Sequence, residues 1–277
     1  MRARGLQIAR RLRLRQSPRP ARRAALTFVL AATFAGAALP LGAGTEATIV
    51  TSAEFAEPTL RYAHAVLGDD VEYGALILHR SNLKAGTALR SNAVLRREKI
   101  TIRLPLTRVF EDLAPRLVDL DDDGAPEVMV VESDAQKGAQ LSIYDASGTK
   151  IAATPHIGTR FRWLAPIGAA DLDGDGHIEV AYVDRPHLAK TLRIWRFREG
   201  ALEQVASTPG LTNHRIGEDF ITSGIRNCGQ GPEIVTANVN WSRIMVSTLE
   251  DDQIRTRDIG AFDPKTRLTA ALACEVN

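Results

Sequence analysis

The chain has 277 residues with a formal net charge of +2, and 25% of the residues are charged. The positive balance lies in residues 1–23, which contain nine arginines and no acid. Without that segment the net charge falls from +2 to near −7. We therefore expect no nucleic-acid partner, since general binding to phosphates needs clustered Lys and Arg.

The amino-terminal residues 1–47 have the pattern of a secretory signal. The basic segment 1–23 is followed by an apolar run over 24–39, then by Pro40 and small residues. We predict that the signal is cleaved between Ala43 and Ala47. The pair Arg22-Arg23 before the apolar run leaves export by the twin-arginine route open. The apolar run has sixteen residues, fewer than the roughly 20 of a membrane span. The expected location is periplasmic or secreted, with no membrane span in the mature chain, and a retained membrane anchor is the alternative.

The remaining residues 48–277 have the length of a single all-β domain. They contain a repeat of about fifty residues. One acid recurs at Glu72, Glu127, Glu179 and Glu233, with spacings of 55, 52 and 54. Repeats of this length that are rich in short strands are typical of propellers or related arrays. We place the repeats at 57–106, 107–158, 159–211 and 212–262.

Each repeat is predicted to form short strands, because β-branched and apolar residues alternate between turn residues. In the second repeat we expect strands over 116–118, 127–132, 140–144 and 150–153, with a hairpin turn at 145–148. A strand over 266–275 is expected to close the ring by sharing a blade with residues 48–55. The predicted fold is all-β, a small β-propeller with four or five blades.

Two acidic loops precede the recurring acid in the second and third repeats. They read DLDDDGAPE over 119–127 and DLDGDGHIE over 171–179. Acids at positions 1, 3, 5 and 9, with a glycine at position 6, suit a hard cation that prefers oxygen ligands, and the carbonyl of position 7 can add another oxygen. The equivalent stretches before Glu72 and Glu233 are degenerate.

These loops are not EF-hands. An EF-hand needs a bidentate Glu at position 12 and a helix on each side. Position 12 is Val130 in the first loop and Tyr182 in the second, and a β-type run follows each loop. The loops are therefore predicted to join two strands.

A repeated DxDxDG loop between strands resembles the FG-GAP or VCBS repeat family, over residues 59–260 with two well-matched loops. The resemblance implies a β-propeller with Ca²⁺ bound in the loops between the first and second strands of a blade, hence two Ca²⁺ ions here. The first implied ligand set is Asp119, Asp121, Asp123, Glu127 and the carbonyl of Ala125. The second is Asp171, Asp173, Asp175, Glu179 and the carbonyl of His177. The family usually has Asp at the ninth position, where this chain has Glu.

The loops expected on the opposite rim carry arginines, histidines, acids and tryptophans. Such side chains could form a pocket for an anionic or sugar-like ligand, or could instead order the rim through salt bridges. The candidate rim residues are Glu111, Asp112, Arg160, Arg162, Trp163, His187, His214, Arg215, Glu218, Asp219 and Trp241. His156, His187 and His214 are weaker candidates for metal binding or a catalytic base.

Two cysteines, Cys228 and Cys274, are predicted to form a disulfide in an oxidising compartment. No nucleophile elbow, HExxH motif, P-loop or dinucleotide fingerprint occurs in the sequence. We therefore favour a calcium-stabilised binding or interaction module with a protein, anionic or carbohydrate partner. A propeller lyase or hydrolase with its site on the rim, and a structural envelope protein, remain alternatives.

Overall fold

Antiparallel strands follow one another in four units along the chain in the computed structural model, which describes residues 48–82, 97–263 and 267–276. These residues belong to one compact unit, residues 44–277. The predicted signal segment 1–47 lies outside the described residues. The strands give a mostly β fold with curled sheets, as the alternating sequence pattern predicts.

The first unit consists of β1 (Ile49–Thr59), β2 (Glu72–Ser81) and β3 (Arg97–Arg103). Both β1 and β3 pair antiparallel with β2. The assignment of residues 48–55 to a ring-closing strand was therefore wrong, since β1 pairs along the whole of β2. The buried apolar face of β2 provides the surface that β1 covers.

The first strand of the second unit is split into two short pieces. The five strands of this unit are β4 (Arg108–Phe110), β5 (Arg116–Val118), β6 (Glu127–Asp134), β7 (Gly138–Tyr144) and β8 (Lys150–Ala153). β4 and β5 pair with opposite ends of β6. β4 also pairs with β2, and this joins the first two units into one sheet of eight strands.

The third and fourth units form separate sheets. The third contains β9 (Leu164–Ala170), β10 (Glu179–Asp184), β11 (Thr191–Arg198) and β12 (Ala201–Pro209). The fourth contains β13 (Leu211–Thr212), β14 (Gly224–Asn227), β15 (Pro232–Asn238), β16 (Arg243–Glu250) and β17 (Gln253–Ala261). β13 and β14 pair with opposite ends of β15, as β4 and β5 do with β6.

The hairpin predicted at 145–148, between β7 and β8 of the second unit, also forms, with the amide of Gly148 donating to the carbonyl of Asp145 at 3.0 Å.

The predicted closing strand over 266–275 was wrong, because the structure has a short helix there, α1 (Arg267–Leu272). Arg, Leu and Ala favour helix, and the i, i+3 spacing of Leu268 and Ala271 buries both against the fourth sheet. A side chain at Gly224 would lie 2.8 Å from Leu272, so this glycine permits the close packing. Among the residues that the structure describes, no helix has the length and apolar character needed to cross a membrane.

A disulfide joins Cys228 to Cys274 and confirms the predicted pairing. It connects the loop after β14 to the residues that follow α1. Arg226 supports the same connection by donating to the carbonyls of Ala271 and Val276 at 2.7 and 2.8 Å. The carboxyl-terminal segment is thus fixed to the fourth sheet by a covalent bond and by hydrogen bonds.

Neighbouring units share apolar clusters. Leu141 and Ile143 of β7 pack with Val180 and Trp195 of the third unit, so the second and third sheets share a core. The third and fourth sheets likewise share a cluster that includes Ile194 and Ile234. The fourth and first units meet through loops, where the amide of Gly217 donates to the carbonyl of Val66 at 3.1 Å.

Candidate functional site

The first acidic loop folds around its own carboxylates between β5 and β6. The Asp119 carboxylate accepts the amides of Asp123 and Gly124 at 3.2 and 2.9 Å. The Glu127 carboxylate accepts the amide of Leu120 at 3.0 Å. Gly124 has φ +83°, a left-handed conformation that glycine adopts without steric cost. The loop therefore directs its acids toward one another.

The second acidic loop repeats this arrangement between β9 and β10. The Asp171 carboxylate accepts the amides of Gly174 and Gly176 at 2.7 and 3.1 Å. The Glu179 carboxylate accepts the amide of Leu172 at 2.8 Å. Similar sequences 52 residues apart thus share two hydrogen bonds, from the amide of the sixth residue to the first Asp and from the amide of the second residue to the ninth Glu.

Each loop brings together three acids that could hold a metal ion. The groups are Asp119, Asp121 and Glu127 in the first loop, and Asp171, Asp173 and Glu179 in the second. Within each group, one oxygen from each carboxylate lies within 4.8 Å of the others. Carboxylate oxygens are the donors that Ca²⁺ prefers, so both groups fit that ion chemically.

Asp123 and Asp175, the fifth residues of the loops, lie outside these two groups. Their carboxylates instead accept the amides of Ala125 and His177, at 2.7 and 2.8 Å. Metal binding through the carbonyls of Ala125 and His177 stays a prediction.

Burial makes the ninth residue of the first loop a weak acid. Glu127 is 8% exposed, and burial raises its pKa to about 7, with the charges of Asp121 and Asp123 adding to the effect. A cation beside these carboxylates would favour their ionised forms. The first loop is therefore a set of clustered acids without a basic partner among the described residues.

The second loop differs because Arg196 lies against its acids. The Arg196 guanidinium donates to Oε1 of Glu179 at 2.7 Å and also pairs with Asp173. It lies 3.5 Å from Asp175 and 3.3 Å from Asp252. The β10–β11 register places Arg196 directly opposite Glu179, so strand pairing brings a positive charge into this loop.

The recurring acid of the fourth unit is held by two arginines. Arg226 and Arg257 pair with the two oxygens of Glu233, each at 2.8 Å. Burial acts to raise the pKa of Glu233, but the hydrogen bonds from Arg257 and Arg226 outweigh it and lower the pKa. Arginine thus supplies the positive charge in the unit whose loop lacks aspartates.

The recurring acid of the first unit lies among other acids. Glu72 is 2% exposed, and burial raises its pKa to about 9, with the charges of Glu111, Asp69 and Asp112 adding to the effect. The neutral form of this carboxyl is therefore favoured by its surroundings. The four recurring acids occupy equivalent strand positions but have different electrostatic surroundings.

Part of the candidate rim forms a packed cluster. Trp163 donates from Nε1 to the carbonyl of Glu111 at 2.8 Å, and the Trp163 ring meets that of His214 at 4.9 Å. His214 is hydrogen-bonded to His187 at 3.0 Å. His64, which the sequence analysis did not select, is hydrogen-bonded to the buried Glu111 carboxylate at 2.5 Å. The two residues are 47 positions apart, so spacing along the sequence gave no signal for this contact.

Of the other candidate rim residues, Glu218 joins this cluster through its backbone carbonyl, which is hydrogen-bonded to Nε2 of His214 at 2.9 Å. Asp112 is buried and pairs with Arg116 at 2.6 Å. Arg215 lies over the ring of Trp241 at 4.1 Å and pairs with Glu218 at 3.3 Å. The remaining three, Arg160, Arg162 and Asp219, are exposed or half-buried.

The cavity beside the clustered histidines is small. It has a volume of about 30 Å³ and is lined in part by His64, Trp163 and His187. This is about one water's share of liquid volume, which is roughly 30 Å³. The clustered side chains thus leave room beside them for about one water molecule.

A comparison with known families bears on the acidic loops. Residues 119–182 match the model of a family described as FG-GAP-like repeat. The matched segment contains the first acidic loop, the second acidic loop and the strands β6 to β9 between them. No curated protein matches the chain. The segment that supplies both acid groups is therefore an FG-GAP-like repeat, in agreement with the resemblance that the loop sequences indicate.

Proposed function

We propose that the protein is an exported, calcium-stabilised, β-propeller-like interaction module. The observation that carries this proposal is the pair of acid groups in equivalent loops of an FG-GAP-like repeat. A cation in each loop would neutralise clustered carboxylates and hold the turn between two strands. The bound Ca²⁺ is structural, because it braces the ends of the sheets.

The two acidic loops have unequal affinity for Ca²⁺. The first loop has no basic side chain on its acids among the described residues, whereas Arg196 pairs with Asp173 and Glu179 in the second. A cation entering the second loop has to displace that guanidinium. Ca²⁺ therefore fills the first loop at lower concentration than the second.

The four units act as blades of one small propeller. Shared apolar clusters support this arrangement between successive sheets, and the hydrogen bond from Gly217 to Val66 supports closure between the fourth unit and the first. Loops carry this last contact, which agrees with the absence of a shared terminal strand in the described residues.

The interaction surface is the rim opposite the acidic loops, and its partner is a protein. Exposed Leu188, Ile216 and Val239 lie on loops of the third and fourth units. The ammonium of Lys190 donates to the carbonyl of Val239 at 2.7 Å and ties two of these loops together. Apolar side chains on loops held in place in this way suit recognition of a protein surface.

A lyase or hydrolase at the centre of the rim has less support. His64, His187 and His214 are hydrogen-bonded to other rim groups, beside a cavity of about 30 Å³. That space does not admit a sugar or peptide.

Export of the protein is supported by the signal-like residues 1–47 and by the disulfide, because disulfides persist in oxidising compartments.

Thermal unfolding tests the calcium part of the proposal. Residues 48–277 are melted in chelator, in millimolar Ca²⁺ and in millimolar Mg²⁺. A ligand that binds only the native state at 100 times its Kd stabilises that state by about 2.7 kcal/mol. We expect a higher Tm with Ca²⁺ and a smaller change with Mg²⁺, which requires a more regular octahedral site. Equal melting curves in chelator and Ca²⁺ contradict calcium stabilisation.

A further inference from the structure

A second cavity lies at the junction of the second and third units, away from the acidic loops. Its volume is about 200 Å³. The β10–β11 register places Tyr182 opposite Arg193, and the β11–β12 register places Trp195 opposite Gln204. These side chains line the cavity together with His156, which follows β8. The cavity is thus lined by one face of the third sheet and by a segment of the second unit.

Two arginines on this cavity share one carboxylate. Arg185 donates from Nε and Nη2 to Asp184 at 2.7 and 3.1 Å, and Arg193 donates from Nε to the same group at 2.8 Å. Arg193 also donates from Nη1 to Gln204 at 2.8 Å. Nη1 of Arg185 and Nη2 of Arg193 make no hydrogen bond with any described residue. One positive charge therefore remains uncompensated among the lining side chains, with donors left for an anion.

His156 contributes an acceptor that has no partner. Its Nδ1 is hydrogen-bonded to the carbonyl of Gly138 at 2.8 Å. A carbonyl only accepts, so Nδ1 carries the proton and Nε2 presents a lone pair. Nε2 is buried and has no hydrogen-bond partner within the described residues. Burial lowers the pKa of His156, which favours the neutral ring that presents this lone pair.

We propose that this cavity binds a small hydroxy acid, whose carboxylate meets Arg185 and Arg193 and whose hydroxyl donates to Nε2 of His156. Two guanidinium groups suit a carboxylate because their N–H groups match its two oxygens. The buried lone pair of His156 selects ligands that carry a hydroxyl, since an unmet acceptor is costly. The volume is below the roughly 300–1,000 Å³ of drug-sized sites, so the ligand is small.

Three six-carbon probes separate the two parts of the recognition. Gluconate has a carboxylate and hydroxyls, hexanoate has only the carboxylate, and sorbitol has only hydroxyls. Each is titrated into the full chain in chelator, so that calcium binding by the acidic loops takes no part. Calorimetry gives the affinity, and the indole N–H signal of Trp195 reports binding at this cavity by NMR. We expect saturable gluconate binding and affinities about tenfold weaker or more for the other two.

Variants locate the site. His156→Phe removes the acceptor and Arg193→Gln removes a charge, and each is expected to weaken gluconate binding about tenfold. Arg193→Lys retains the charge if the glutamine variant does not fold, and should still weaken binding because it loses the guanidinium. His79→Phe, on β2, is the matched control and should bind gluconate as the parent does.

Three results overturn the proposal. The first is no saturable gluconate binding up to about 10 mM, a concentration that detects millimolar affinity. The second is equal affinity for gluconate and hexanoate, and the third is unchanged affinity in folded His156→Phe. Calcium-dependent melting is independent of all three, so this proposal and the proposed function can fail separately.

Discussion

Arg196 and Glu179 form an ion pair at 2.7 Å inside the second acidic loop, where the loop sequence alone predicts a calcium ligand. The two residues are opposite one another on β11 and β10. Extending the β6–β7 register by one residue places Asp145 opposite Glu127 in the second unit. The position opposite the ninth loop residue is thus acidic in the second unit and basic in the third. Because of this difference, we expect the first acidic loop to bind calcium more tightly than the second.

Arg196→Gln should strengthen calcium binding by the second loop. Hydrogen bonds to charged groups contribute about 1.5–3 kcal/mol, so removing the competing guanidinium should tighten the weaker site about tenfold or more. Calorimetric titration with Ca²⁺ measures the two affinities. Arg198→Gln, on the same strand and 52% exposed at the side chain, is the matched control. An unchanged weaker site in Arg196→Gln would show that the arginine does not compete with the ion.

The spacing of the loop acids was readable from the sequence because all the residues of a loop are contiguous. Arg196 could not be assigned to its loop in that way, because it follows Glu179 by seventeen positions and meets it only through the pairing of β10 with β11. The pairing of Glu233 with Arg226 and Arg257 likewise could not be predicted from the sequence alone. Short-range spacing predicts a loop, but long-range register decides which charges surround it.

In the two terminal segments, the alternating sequence pattern does not predict the structure correctly. Residues 48–55 do form a strand, but their sequence does not identify β2 as the partner. Residues 267–272 are apolar enough for a strand, yet Leu268 and Ala271 bury one face of a helix against the fourth sheet. A six-residue segment fits either structure, and packing decides between them.

Asp121→Ala should lower stability only when calcium is present. Asp121 has an exposed carboxylate in the first acid group and pairs with no basic side chain among the described residues, so its loss in chelator should change Tm little. In saturating Ca²⁺ the variant loses the binding contribution, about 2.7 kcal/mol when the parent is at 100 times its Kd. Asp122→Asn is the matched control, since Asp122 lies outside the acid group and Asn tolerates its φ of +58°. Equal losses of Tm in both media would mean that Asp121 serves packing.

Asp173→Ala should behave differently from Asp121→Ala, because Asp173 pairs with Arg196. Removing Asp173 leaves a guanidinium with one fewer acceptor in the calcium-free protein. We expect a loss of about 1–3 kcal/mol in chelator, measured by urea unfolding. A double-mutant cycle with Arg196→Gln should return a coupling of at least about 0.5 kcal/mol. Additive losses would show that the two side chains do not interact in solution.

Replacing Cys228 and Cys274 with serine should destabilise the chain and release α1 from the fourth sheet. A disulfide that closes a loop of 46 positions typically contributes about 2–4 kcal/mol. Urea unfolding of the double variant gives the loss, and hydrogen exchange at residues 267–272 reports the release. The oxidised parent treated with a reductant is the control and should reproduce the variant. Unchanged protection of α1 would mean that Arg226, which donates to Ala271 and Val276, holds the helix without the disulfide.

Glu72→Gln should stabilise the protein increasingly as the pH rises from about 5 to 9. Burial, together with Glu111, Asp69 and Asp112, raises the pKa of Glu72 to about 9. The native state then binds a proton that the unfolded state releases above its ordinary pKa of about 4.3. The parent therefore loses up to about 1.4 kcal/mol per pH unit across that interval, and the loss ceases above the folded-state pKa. Glutamine is neutral in both states and removes this dependence. Urea unfolding at pH 5.5 and 8 measures the difference, with exposed Glu199→Gln as the control. An equal effect of Glu72→Gln at both pH values would show that Glu72 is ionised in the folded protein.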